Sequence, residues 1–144
     1  ALAELWAHAT PHSLPGALWR LYLVRLMIRR SPDAVSLMYT RGADALSTID
    51  ALVAGAPSPA GPQEVVELAD QILRGVFAGD FALALERAAA FSRVAAAGAT
   101  SLADDYDSSE TDRAADLTRR ALRLSTYADD FRASAALARA DALD

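Results

Sequence analysis

The chain has 144 residues and a formal net charge of −5, a length that suits one domain with a hydrophobic core of its own. It contains no cysteine, which excludes disulfides, iron–sulfur clusters, thiolate zinc sites and cysteine nucleophiles, and is in keeping with a reducing cytoplasm. So acidic a chain is not a general binder of nucleic acid or anionic membranes, and no apolar run reaches the roughly 18 residues of a membrane span.

All fourteen cations are arginine, and asparagine is absent. That skew matches the codon bias of a GC-rich bacterial genome, so composition alone does not mark the arginines as phosphate ligands. The expected fold is all-α: one helical bundle over 1–144, with about six or seven helices and a long C-terminal one.

Residues 1–9 form a short helix, ended by Thr10-Pro11-His12-Ser13-Leu14-Pro15, because proline lacks the N–H and restricts the residue before it. The second helix spans 16–30. Leu18, Leu21, Tyr22, Leu23, Val24, Leu26, Met27 and Ile28 leave only arginines as strongly polar positions, so it is expected at the centre of the bundle. Ser31-Pro32-Asp33 restarts the chain: serine caps, proline takes the first helical position and aspartate meets the positive helix end. The third helix runs to Arg41 and stops at Gly42. A fourth covers about 43–54, with Leu46, Ile49 and Val53 at helical spacing, and Gly55 to Gly61 is a loop.

Pro62 opens the fifth helix, whose stripe is Val65, Leu68, Ala69, Ile72, Leu73 and Val76. Gly79-Asp80 ends it and caps the sixth, which carries Phe81, Ala84, Leu85, Ala88, Phe91 and Ala95 up to Gly98. So short a turn makes these two antiparallel. The segment Gly79-Asp80-Phe81-Ala82-Leu83-Ala84-Leu85-Glu86 resembles the inter-helix turn of a tetratricopeptide repeat. The resemblance covers one turn and the start of one helix. Gln71, Ile72 and Gly75 stand where that pattern has Leu, Gly and Tyr, and no second copy follows at a spacing of about 34 residues. A plain helical hairpin is the reading, with a tilt toward interaction modules.

Residues 99–110 are polar and acidic, and read as a loop. The last helix spans about 111–142, entered through a capping-box spacing at Ser109-Glu110-Thr111-Asp112. Leu117, Ala121, Leu124, Ala128, Phe131 and Ala135 alternate steps of four and three, a heptad-like seam rich in alanine. A straight helix of that length spans about 45–50 Å, against about 40 Å for the compact domain. It therefore either protrudes, leaving the seam free for a partner, or breaks near Ser125-Thr126.

No constellation carries chemistry clearly. Glu4, His8 and His12 are spaced by four, but Pro11 interrupts the helix and no further His or Cys completes a metal site. Asp105, Asp107, Ser109, Thr111 and Asp116 follow a calcium-loop register, with Glu110 where the turn needs glycine. The basic segment Arg20 to Arg41, with Trp19, Tyr22 and Tyr39, has the makings of a single-strand nucleic-acid surface. Its helix is too apolar to expose, so pairing with the acidic C-terminal half is preferred and nucleic acid is not the expected partner. Asp50 and Glu86 are the nearest candidates for carboxylate acid–base work, and both read as surface. No catalytic residue, metal or cofactor is expected. The leading expectation is a non-enzymatic helical domain acting through protein contacts, including self-association through the seam. The alternative is an enzyme or small-ligand carrier with an apolar pocket lined by Trp19, Tyr22, Met27, Met38 and Tyr39.

Overall fold

The computed structural model describes residues 2–57, 59–106 and 110–144. Within them the chain forms seven α-helices and no strand: α1 (Leu2–Ala7), α2 (Leu14–Arg30), α3 (Pro32–Ala45), α4 (Asp50–Ala54), α5 (Pro62–Phe77), α6 (Phe81–Tyr106) and α7 (Thr111–Arg139).

Helix α2 starts two residues earlier than its prolines suggest. Ser13 is the N-cap; its Oγ accepts from the Gly16 N–H at 3.1 Å, and Pro15 sits in the first turn, where a missing N–H costs nothing. At the α2–α3 junction Pro32 takes the first helical position as expected, but Ser31 makes no side-chain cap. Its carbonyl instead accepts from the Val35 N–H at 3.0 Å.

Two glycines expected to stop helices do not. Helix α3 continues through Gly42 to Ala45, and α6 through Gly98 to Tyr106. They lie where the two helices cross. A Cβ on Gly42 would stand 1.8 Å from the Val94 carbonyl oxygen, and one on Gly98 1.6 Å from that of Met38. Glycine is required here for backbone contact, and each helix keeps its hydrogen bonding through it.

The extension of α6 replaces residues 99–106 of the loop expected at 99–110. Leu102 and Ala103 are buried there, continuing the apolar stripe. It also settles whether the last helix protrudes or breaks. Helix α7 is unbroken through Ser125 and Thr126, where the Thr126 hydroxyl donates back to the Leu122 carbonyl, as threonine does inside a helix. It runs about 44 Å, and α6, about two turns longer than expected, packs against it as an antiparallel hairpin partner.

The fourth helix is shorter than its periodicity suggests. Residues 43–45 belong to α3, Leu46 is extended, Ile49 is exposed, and the separate helix is Asp50–Ala54. The bundle is a single compact helical domain, and its centre is α6 rather than α2. Helix α6 touches α3, α4, α5 and α7, and buries Leu85, Phe91 and Val94 with a long run of alanines. Small side chains let it be covered on several sides at once. Helix α2 packs on α5, α1, α3 and α7 and leaves Tyr22 exposed.

Candidate functional site

The five residues expected to line an apolar pocket do not converge. Trp19 and Tyr22 stack on each other, ring centroids 5.3 Å apart, with Tyr22 45% exposed. Tyr39 is buried; it stacks on Phe91 at 5.3 Å, and its hydroxyl donates to the Ala51 carbonyl at 3.4 Å. Met27 borders one stretch of a surface groove, and Met38 is fully buried beneath the next. Inside the bundle, α2, α5 and α6 leave a crevice of about 20 Å³ among Leu21, Val24, Ile28, Leu68, Ile72 and Phe91. That is room for about one water molecule.

The seam of α7 is occupied by the chain itself. Ala121, Leu124, Ala128, Phe131 and Ala135 are buried and Leu117 half-buried, with α6 as the main neighbour. None of the five buried residues is free to meet another molecule.

The polar candidates are taken up in structural pairs. His12 Nε2 lies 3.1 Å from Asp130 Oδ1, and the turn carrying it is also tied to α7 by the Ser134 hydroxyl, which donates to the Pro11 carbonyl. His8 lies beyond the end of α1. Of the calcium-loop register, Asp107 and Ser109 lie outside the described residues; Asp105 pairs with Arg41 at 2.8 Å. Among the described residues no group of three or more His, Cys, Asp or Glu is placed to hold a metal ion. Most of the basic segment is spent on acids. Arg25 and Arg29 clamp Asp70, each at 3.1 Å, and Arg20 approaches Asp130 at 3.7 Å. Burial pushes the Asp70 carboxyl up, but the two arginines outweigh it and hold it below its usual range.

Asp50 and Glu86 do come together, on one cleft between α4, α6 and α7 that also carries Arg93, Arg132 and Arg139. Each already holds an arginine. Arg93 Nη1 donates to Asp50 at 2.6 Å, and Arg139 Nη2 to Glu86 at 2.8 Å. The Arg139 hydrogen bond draws Glu86 below its ordinary value. Two carboxylates already held by arginines are poorly placed for general acid work.

Besides a cleft of about 290 Å³ between α3 and the loop before α5, at Tyr39, Thr40 and Ala60, two adjoining clefts that the sequence did not single out form a groove along α7. Arg113, Asp116, Arg120, Arg123 and Tyr127 follow one another along α7 at helical steps of three and four, beside its buried seam. Opposite them stand Leu23, Leu26, Met27 and Arg30 of α2, and Ala34, Leu37 and Met38 of α3, with Leu102 and Tyr106 of α6 at one end. Two stretches, of about 280 and 310 Å³, meet at Arg120. Leu37 is 54% exposed on its wall. Arg113 lies over the Tyr106 ring, 5.2 Å from its centroid, a cation–π contact. Arg120 reaches Asp116 at 3.4 Å. Arg30 and Arg123 stand in no ion pair among the described residues. The Tyr127 hydroxyl is pushed up by burial, against the nearby charges of Arg123 and Arg20.

Compared with known protein families, curated proteins and solved structures, the chain matches none. Among the described residues no helix is long and apolar enough to cross a membrane.

Proposed function

We propose that this is a non-enzymatic helical domain that acts by binding another protein, in the cytoplasm. The observation that carries the reading is the α2–α3–α7 groove. Its two stretches adjoin at Arg120; the one beside Leu37 and Leu117 is mainly apolar, and the one beside Arg30 and Arg123 is mainly polar. Recognition of a partner segment needs such a surface: apolar area for affinity, charges at the rim for register and specificity. An enzyme or small-ligand carrier draws less support, since the interior crevice has room for about one water and the carboxylates of the larger Asp50–Glu86 cleft are each held by an arginine. Self-association through this groove is also disfavoured, because a two-fold axis would set its arginines against one another.

A photo-crosslinking residue in place of Leu37, compared with one in place of Leu83, tests the reading in cells of the source organism. Leu83 is also exposed, but lies near the other end of α6, about 28 Å from Leu102. A discrete crosslinked protein is expected at position 37 and not at 83. No product at either position, or the same products at both, would remove the groove as the binding surface.

A further inference from the structure

Resting on that reading, we infer that the groove receives an acidic, amphipathic α-helix of a partner protein. The chain carries more acids than arginines, 19 against 14, so an arginine within its own reach of a carboxylate has partners to choose from. Arg30 and Arg123, like Arg74, Arg87 and Arg132, have no carboxylate in ion-pair range among the described residues, and these two share one groove. Arg113 and Arg120 also line it, but each is already paired, with Glu110 at 3.6 Å and Asp116 at 3.4 Å, so the unpaired charge of the groove is that of Arg30 and Arg123. A local excess of positive charge on a chain of net charge −5 selects an acidic occupant and repels a second copy or a basic segment.

From Arg113 to Tyr127 the rim runs straight along one helix for about 21 Å, roughly four helical turns. The opposite wall is formed by α2 and α3, with Leu26, Met27 and Leu37 along it. A partner helix with leucine-like residues at steps of three and four would lay them on that wall. Its flanking Asp or Glu side chains would then meet Arg30 on one side and Arg123 on the other. An extended strand has no sheet edge to join among the described residues, so its backbone would stay unpaired.

A displayed library of helical peptides tests this. Leucines are fixed at i, i+3, i+4 and i+7, and the flanking positions are drawn from Asp, Glu, Lys, Arg, Ser and Ala. Selection on the full chain should enrich Asp and Glu, and the selected peptides should bind at least about fivefold more weakly to the R30E/R123E variant at low salt. Selection on that variant should turn toward Lys and Arg. Both side chains are at the surface; if the variant loses its helical circular dichroism, R30Q/R123Q is used instead and should lose the acidic preference. Enrichment of basic flanks, no charge preference, or an acidic preference indifferent to both variants would overturn the inference. So would co-sedimentation with phosphatidylglycerol vesicles that depends on Arg30 and Arg123 while no acidic peptide is enriched, which would make the surface a membrane site. If acidic peptides fail while the Leu37 crosslink persists, only the partner's chemistry is wrong. If the crosslink is also missing, the protein-contact reading falls with it.

Discussion

Gly42 of α3 and Gly98 of α6 face each other across a contact in which backbone meets backbone: a Cβ placed on Gly42 would stand 3.0 Å from the Gly98 nitrogen and 1.8 Å from the Val94 carbonyl oxygen. Alanine at either site gains about 1 kcal/mol of helix propensity. It must also push two helices apart, and forcing atoms into a packed core costs about 1–3 kcal/mol or more. The clash should win, so G42A and G98A are expected to lower the thermal midpoint by several degrees. Gly75 of α5 is the control, because a Cβ there meets only the Ala84 Cβ at an ordinary 3.6 Å. G75A should be stabilising by about 0.5–1 kcal/mol. Thermal melts of the three variants followed by circular dichroism decide it; a stabilising G98A would mean the crossing is looser than described.

The burial of the α7 seam makes a prediction about oligomeric state. Phe131 is fully buried and Ala128 nearly so. Phe131→Ala should cost about 3–5 kcal/mol through lost burial and a cavity, and Ala128→Leu about 1–3 kcal/mol through overpacking. Because the seam closes within one chain, the urea midpoint of the wild type and both variants should be independent of protein concentration. A midpoint that rises with concentration would mean the seam is shared between molecules.

The helical class, the helix starts at Pro32 and Pro62 and the α5–α6 turn were legible in the sequence because proline, glycine and apolar spacing act locally. The Asp80 carboxylate accepts from the Leu83 N–H at 3.3 Å, and Gly79 adopts φ +95°, as the Gly-Asp pair suggests. Gly42 and Gly98 misled for the opposite reason. A glycine that permits close approach looks the same in sequence as one that ends a helix, and only the partner helix distinguishes them. The misplaced end of α6 then forced the choice between a protruding and a broken α7. The groove had a faint signal: Arg113, Asp116, Arg120, Arg123 and Tyr127 share the seam's periodicity, displaced by about one residue. Nothing local says that α2 and α3 would form the opposite wall. The pocket expected around Trp19, Tyr22, Met27, Met38 and Tyr39 assumed a central α2, a position taken by the alanine-rich α6.

Asp70 links α5 to α2 through Arg25 and Arg29, and its carboxyl is held below its ordinary value. A carboxyl with a lower pKa folded than unfolded stabilises the fold above the unfolded pKa, near 4. That contribution fades as pH falls through the folded pKa. Wild type should therefore be more stable than Asp70→Asn at pH 7, with the gap closing below about pH 4. Denaturant titrations of both proteins from pH 7 to pH 3 measure it. A gap that stays constant would mean the arginine clamp does not act through the carboxylate charge.

The Ala60 carbonyl, buried where the loop before α5 lies on α3, accepts from two hydroxyls: Ser36 at 2.7 Å and Thr40 at 3.4 Å. The shorter bond carries most of the interaction, but either donor keeps the carbonyl from being orphaned. Ser36→Ala alone should cost about 1 kcal/mol, softened by Thr40 moving closer, and Thr40→Val alone less. Removing both leaves a buried acceptor without a partner, at about 1–3 kcal/mol for the desolvated group. The double variant should thus lose more than the sum of the singles, a coupling readable as a double-mutant cycle in urea. Additive losses would mean that water reaches the carbonyl once Ser36 is gone, and that the loop is held to α3 by its apolar contacts alone.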